Sequence, residues 1–316
     1  MDVITLTSGG TTLVSFDLTG EPPGDHTGVI EQLRPQIEKV LHSTGAVLLR
    51  GLGIDTPQRF HAVVRTFGDP LRSYRGGNTP RSLVTDGVFT STEYPPEYEI
   101  SLHNELSYAA RWPQRLYFFS LVPATTGGAT PICDGRTLLA DLDPGVRERF
   151  TTRGVTYRQL LHGGFGLGKS WQQTFETEDR AEVEAFLADA EIDFEWTEDD
   201  NLRTAQHRPA TREHPATGET VWFNQADQWH PSNLPPAEAQ ALLALIEDGE
   251  EPPQSVTYGD GEPLPAADLD QVRAAAKRHE LSFPWVAGDL MIIENMLVLH
   301  GRHPFTGQRR TLVSMT

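Results

Sequence analysis

His103-Asn104-Glu105 is the one place in the chain where a histidine is followed two residues later by an acidic side chain. On a strand, where successive side chains alternate sides, His103 and Glu105 share one face while Leu102, Asn104 and Leu106 take the other. On a helix the same spacing would set them on opposite sides, unable to share a metal. An imidazole and a carboxylate on one strand face supply most of a two-histidine, one-carboxylate donor set, which holds Fe(II) and leaves coordination positions open. The remaining donor has to come from a distant strand. His300, in LVLHGRHPF, follows a buried run near the C-terminus and is the choice. His303 competes, but its odd offset turns it to the other face and Pro304 ends the strand.

Shortly after His300 the run RRTLVSM offers Arg309 and Arg310. An arginine fork matches a carboxylate at two points, as the far end of a 2-oxo diacid requires. On a strand Arg310 shares its face with Leu312 and Ser314, and Arg309 shares the other with Thr311 and Val313. Neither face is cleanly apolar, so periodicity does not choose between them.

A different chemistry is spelled at Gly163-Ser170, where Gly163, Gly168, Lys169 and Ser170 match a phosphate-binding P-loop. Such a loop needs a buried apolar strand before it, a helix directly after it and nearly all-apolar parallel neighbours. The next strand candidate, IDFEW, carries Asp193 and Glu195. LALIED, which could supply the acidic partner, continues an amphipathic helix begun at Pro235 and Pro236. The match reads as a glycine-rich loop with an incidental lysine.

The elements that must position these side chains are many short strands interrupted by helical segments, not a regular strand–helix alternation. Residues 29–43 read as a helix ended by Gly45, AVLLRGLG as a short buried strand, and Thr56 with Pro57 as the start of a helix to about Phe67. EISLHNELSY and RLYFFSLV read as strands. Further helices are expected from Thr177, as cap, to Ala190, from Pro235 to Ile246 and from Ala266 to His279. β-type runs with glycine turns fill Phe283 to Met315.

Composition narrows the function class. With 26 basic and 44 acidic residues the formal charge is −18, and no basic run exists, which argues against nucleic acid or an anionic membrane as partner. The opening MDVITLTSGGTTLVSF lacks the basic start and apolar stretch of a signal peptide. LMIIENMLVLH is interrupted by Glu294 and Asn295 and is too short to span a bilayer. The single cysteine, Cys133, excludes an intrachain disulfide and any iron–sulfur or zinc-ribbon site held by this chain alone. A cytoplasmic enzyme or binding protein for a small molecule is expected, with its oligomeric state open.

Beyond single motifs, GGNTPR (76–81), TSTEYP (90–95), SLHNELSYAARWP (101–113), GGATPICDGR (127–136), SWQQTF (170–175), VWFNQ (221–225) and PWVAGDLMIIENMLVLHGRHPFTGQRR (284–310) lie in order along the chain. Together they resemble the Fe(II)/2-oxoglutarate-dependent oxygenases of the taurine dioxygenase (TauD/TfdA) family, closest to the SyrP-like aspartyl hydroxylase branch. The resemblance implies one domain over 1–316, mostly β, with a double-stranded β-helix (jelly roll) core of the clavaminate synthase type and a helical insertion at about 137–280. It implies His103, Glu105 and His300 as iron ligands and Thr130 as a hydroxyl partner to one carboxylate of 2-oxoglutarate. It also implies the arginine pair as the salt-bridge partner of the other carboxylate, with Arg310 favoured over Arg309. It further implies O2 as the co-substrate, with succinate and CO2 as the coproducts.

SWQQTF also resembles this branch's own loop, which removes the P-loop reading of the same stretch. Glu105 fills the position that halogenating relatives leave to a halide, so hydroxylation is expected, with desaturation or cyclisation as the alternative. Arg81, Glu99, Asn104, Tyr108 and Trp112 flank the histidine strand and are candidates to line the substrate pocket. The branch implies an amino-acid-like or peptide-like substrate from natural-product biosynthesis, free or tethered to a carrier protein. Carrier proteins are usually acidic, so a charge of −18 works against docking to one. The rival readings are a nucleotide binder using Gly163-Ser170 and a jelly-roll binding protein without catalysis.

Overall fold

Leu290–Glu294, LMIIE, is almost wholly apolar because it lies inside a sheet covered on both faces. Leu290 and Ile292 pack beneath the helices His26–Thr44 and Pro57–Arg65, while Met291 and Ile293 face a second sheet. The computed structural model describes residues 1–20, 26–73, 76, 77, 81–92, 94–247 and 251–316. Asn78, Thr79 and Pro80 of GGNTPR and Glu93 of TSTEYP lie outside the described residues.

The larger sheet has eight strands, in the order Asp2–Ser8, Thr11–Asp17, Ala46–Arg50, Leu290–Glu294, Arg115–Val122, Arg310–Met315, Val88–Thr90 and Leu83–Thr85. Its neighbours are antiparallel except Thr11–Asp17 beside Ala46–Arg50. The smaller sheet is Ile100–His103, Val298–Arg302 and Ile132–Asp134. Met291, Ile293, Phe118, Val313, Ile132 and Val298 fill the space between the two. The protein is therefore mostly β with a jelly-roll core.

Local chemistry fixes the helix ends. Ile30, Leu33, Ile37 and Leu41 recur at helical spacing and are buried. Gly45, at φ +75°, closes that helix by donating its N–H to Leu41 O. Thr56 accepts from Arg59 N and Pro57 takes the first helical position, as expected. One cap differs. The helix expected from Thr177 is Arg180–Asp189, because the Asp179 carboxylate caps it by accepting from Ala181 N.

The stretch expected as a helical insertion also carries an antiparallel sheet of Asp193–Trp196, Leu202–Arg208, Val155–Leu161 and Gln254–Tyr258. Leu202–Arg208 buries Leu202, Thr204, Gln206 and Arg208, so its inward face is largely polar and gives little hydrophobic alternation. The insert covers the outer face of the smaller sheet, where Cys133 and Leu299 cluster with Leu138, Trp222 and Val272. Among the described residues no helix is long and apolar enough to cross a membrane.

Candidate active site

His300 stands directly opposite His103 on neighbouring antiparallel strands, and paired side chains lie on the same face. The two rings are 4.3 Å apart between centroids. Glu105 joins them, its Oε2 lying 3.8 Å from His300 Nε2. Ligand atoms from the three side chains all fall within 4.8 Å of one another, and all three residues are buried. His303 is not part of this group. Its Nε2 is 3.0 Å from Glu280 Oε1.

The route by which Glu105 arrives differs from expectation. The strand ends at His103, and residues 104–107 form a turn in which Ser107 Oγ donates to Asn104 O. Leu106 within it takes φ +53°, the left-handed region that a leucine rarely visits. Asn104 is wholly buried and donates to Asn295 O at 2.6 Å, so it does not line the pocket as expected. The strand stops there because both asparagines bind backbone rather than leaving it to a sheet partner.

Burial sets the protonation of the histidines. Desolvation lowers the pKa of His103, against the pull of Glu105, and places that of His300 well below the usual histidine value. His103 Nδ1 lies 2.8 Å from Ser101 O, so in the neutral ring Nδ1–H donates there and Nε2 keeps its lone pair. Neutral imidazoles beside a carboxylate are the donors that a non-haem Fe(II) centre uses, and the three residues fit such an ion.

The same cavity is lined by Arg81, Ser91, Phe118, Thr130, Arg302 and Arg309. Arg309 donates to Gly128 O at 3.0 Å, to Ser91 Oγ at 3.4 Å and to Thr130 Oγ1 at 3.5 Å. A side chain at Gly128 would bring a Cβ within 3.0 Å of Arg309 Cδ, so this glycine makes room for the arginine. Burial, with Arg302 nearby, lowers the Arg309 pKa to about 10, so the group is still charged at neutral pH. Arg310 is exposed and starts the edge of its strand against Val122. The expectation favouring Arg310 is thus reversed. The ladder shifts register between Arg310 and Thr311, an irregularity that simple alternation does not anticipate.

Thr130 is buried and accepts from Trp285 Nε1 at 3.1 Å as well as from Arg309. With both lone pairs engaged, its own hydroxyl proton is directed elsewhere and can serve an anion in the cavity. Trp285 was not picked out in the sequence, nor was Arg302. Arg302 donates to Tyr94 O, Pro95 O and Tyr98 O at 2.7–2.9 Å, tying that loop to the histidine strand. Arg81 donates to Glu105 Oε2 at 2.6 Å, both side chains being almost fully buried.

His103 also borders a larger cavity, about 690 Å³, between barrel and insert. Glu99 stands exposed at its rim, with Asp227, Gln228, Arg273 and Lys277 among the other lining residues. Burial raises the Asp227 pKa against the opposing effect of Arg273, whose Nε is 2.7 Å away. Tyr108 and Trp112 line a separate, more apolar cavity of about 270 Å³. Tyr108 donates to Gly76 O, and Trp112 packs on Phe223 beneath Arg212. Neither meets the histidines, which corrects the expectation for both.

Gly163-Ser170 builds no phosphate cradle. The strand before it, Val155–Leu161, has antiparallel neighbours on both sides. Lys169 Nζ donates to Gly77 O at 2.9 Å, and Ser170 caps the short helix Trp171–Phe175.

Residues 19–316 match the profile of the "Taurine catabolism dioxygenase TauD, TfdA family". The chain is 39% identical to the dapdiamide synthesis protein DdaC of Enterobacter agglomerans, over 88% of this chain and 84% of that one. It is 31% identical to a clavaminate synthase-like protein of Arabidopsis thaliana, over 92% and 86%. Among solved structures it superposes on PvcB, described as an Fe, alpha-ketoglutarate dependent oxygenase from an isonitrile synthetic pathway, with TM-score 0.55, 15% identity and coverage of 99% and 90%. AAD-2 in complex with Mn(II) and N-oxalylglycine superposes with TM-score 0.55, 13% identity and coverage of 100% and 97%. At these identities the two structures attest the fold.

Proposed function

This chain belongs to the TauD/TfdA family of Fe(II)- and 2-oxoglutarate-dependent oxygenases, and we propose that it hydroxylates an unactivated C–H bond of an amino-acid-like or peptide-like intermediate in natural-product biosynthesis. The observation that carries the reading is His300 opposite His103 with Glu105 beside them, in the cavity that also holds Arg309 and Thr130. His103, Glu105 and His300 would hold Fe(II), which with 2-oxoglutarate and O2 supplies the oxidant for a C–H bond and releases succinate and CO2.

The remaining work falls to the protein. Arg309 binds the far carboxylate of 2-oxoglutarate at two points. Because its guanidinium lies against Thr130 Oγ1, the Thr130 hydroxyl donates to that same group and not, as expected, to the other carboxylate. Trp285 keeps Thr130 turned for that purpose. Phe118, its ring 5.0 Å from that of His300, walls the cavity against water. Arg81 neutralises part of the Glu105 charge and limits where its carboxylate can turn.

Substrate enters from the 690 Å³ cavity in this reading. Acidic Asp227 and Glu99 stand there with basic Arg273 and Lys277, a mixed lining that suits a zwitterion better than a simple acid or a hydrocarbon. The relative named for dapdiamide synthesis supports a natural-product role. Delivery of the substrate on a carrier protein belongs to the same reading, although the net charge of −18 works against an acidic carrier. Barrel and insert act as one catalytic domain, since a single hydrophobic cluster spans both.

The experiment is incubation with Fe(II), 2-oxoglutarate and a panel of amino acids and short peptides, following succinate and product mass. Substrate-stimulated succinate and a product heavier by one oxygen atom are expected. A chlorinated product in chloride buffer, or one lighter by two hydrogens, would overturn hydroxylation.

A further inference from the structure

Glu105 lies on a turn, so no sheet ladder fixes the direction of its carboxylate. Another device does. The Asn295 side chain is wholly buried and closes on the Glu105 backbone from both sides. Its Oδ1 accepts from Glu105 N at 2.8 Å, and its Nδ2 donates to Glu105 O at 2.9 Å. The second Nδ2 proton goes to Pro113 O, also at 2.9 Å, at the far end of the same segment.

The backbone of Asn295 is held in turn. Its carbonyl accepts from Asn104 Nδ2 at 2.6 Å, and its N–H donates to Gln114 O at 2.9 Å. This residue sits between strands Leu290–Glu294 and Val298–Arg302, and the second of these carries His300. One amide therefore joins the turn of one metal ligand to the short loop that leads into the strand of another. The left-handed Leu106, at φ +53°, fits this picture, since a leucine keeps that conformation only where its surroundings impose it.

We propose that Asn295 is a positioning residue that fixes Glu105 for metal binding by holding the peptide groups on both sides of it. The inference rests on His103, Glu105 and His300 being the metal ligands. Asparagine suits the place because it offers one acceptor and two donors in a plane, and the three bonds use all of these at least once. Aspartate has the same shape but would turn an acceptor oxygen, in the place of Nδ2, toward the carbonyls of Glu105 and Pro113.

A purely structural role predicts lower stability alone, whereas positioning predicts an effect that vanishes when Glu105 is absent. The test is a double-mutant cycle read by Co(II) titration of metal-free protein. Wild type, Asn295→Ser, Glu105→Ala and the double variant are compared by calorimetry, each checked for cooperative melting. Asn295→Ser is expected to weaken Co(II) binding by at least about tenfold, the scale on which groups supporting a ligand act. In the Glu105→Ala background the same change is expected to add less than about twofold. Undiminished Co(II) affinity in Asn295→Ser, or equal weakening in both backgrounds, would overturn the proposal.

Wild type that binds no Co(II) would instead refute the metal reading on which it rests. Hydrogen exchange of the wild-type segment 104–113 keeps the proposal testable even if the variants do not fold. Equal protection with and without Co(II) supports it. A segment that exchanges freely until Co(II) is added would overturn it.

Discussion

Inside the barrel, Arg81, Arg302 and Arg309 line one narrow cavity with His103 and His300, and each guanidinium is engaged. Arg81 meets Glu105, Arg302 meets the carbonyls of residues 94, 95 and 98, and Arg309 meets Gly128 and Thr130. The larger cavity that also borders His103 is built otherwise. Its charges are of both signs and meet one another, Arg273 pairing with Asp227 and Lys277 with Glu280, while Glu99 and Lys277 reach solvent. The difference separates two tasks. An anion of fixed shape is met by fixed cations within the barrel, while selection among substrates is left to a wider, mixed surface contributed largely by the insert.

If that division holds, changes inside the barrel damage turnover with any substrate. The largest effect is expected for His300→Ala or Glu105→Ala, which remove an iron ligand. Substrate-stimulated succinate formation should fall on the order of 1,000-fold in each. Retained turnover in either variant would break the assignment of the metal end.

Next in size is the arginine pair. Losing one partner of a buried charge pair costs several kcal/mol, whereas an exposed pair is worth about 0–1. Titration with 2-oxoglutarate, following succinate, should show the apparent constant raised on the order of 100-fold in Arg309→Ala and by less than about fivefold in Arg310→Ala. A large effect at Arg310 alone would return the cofactor to the residue that is exposed here.

A smaller change is expected at Trp285→Phe, which removes the indole N–H that holds Thr130 Oγ1. The same titration should show roughly a tenfold weaker 2-oxoglutarate constant, about the worth of one hydrogen bond to a group serving an anion. The outer cavity sharpens the contrast. Asp227→Asn should change the KM for substrate several-fold and leave the 2-oxoglutarate constant alone. Movement of both constants together would mean that the two cavities are not separate in function. Lys169→Ala should do least. Mg-ATP is expected to leave the melting temperature unchanged in wild type and variant alike.

How much of this was legible in the sequence depended on distance along the chain. His103 and Glu105 declared themselves through local spacing, even though Glu105 reaches the site by a turn and not by the strand that the spacing suggested. His300 followed from a buried run near the C-terminus. The choice between Arg309 and Arg310 failed because one irregularity in the ladder outweighs strand periodicity, and no local signal marks it. Trp285 and Asn295 were missed because their partners, Thr130 and Glu105, are 155 and 190 residues away. A signal for Asn295 was present, since a polar asparagine interrupts the most apolar run of the chain. Such an interruption asks what the amide binds. Of the insert's sheet only IDFEW was read as a strand, and its neighbour stayed hidden because Thr204, Gln206 and Arg208 occupy buried positions there.

The central claim is that one cavity binds Fe(II) and 2-oxoglutarate together. Anaerobic addition of both to the folded, metal-free protein tests it most directly, because a keto acid chelated to Fe(II) gives a weak visible charge-transfer band. The account predicts the band in wild type, its loss in His300→Ala, and a need for far more 2-oxoglutarate to produce it in Arg309→Ala. Well-folded wild-type protein that shows no band at saturating Fe(II) and 2-oxoglutarate would contradict the account.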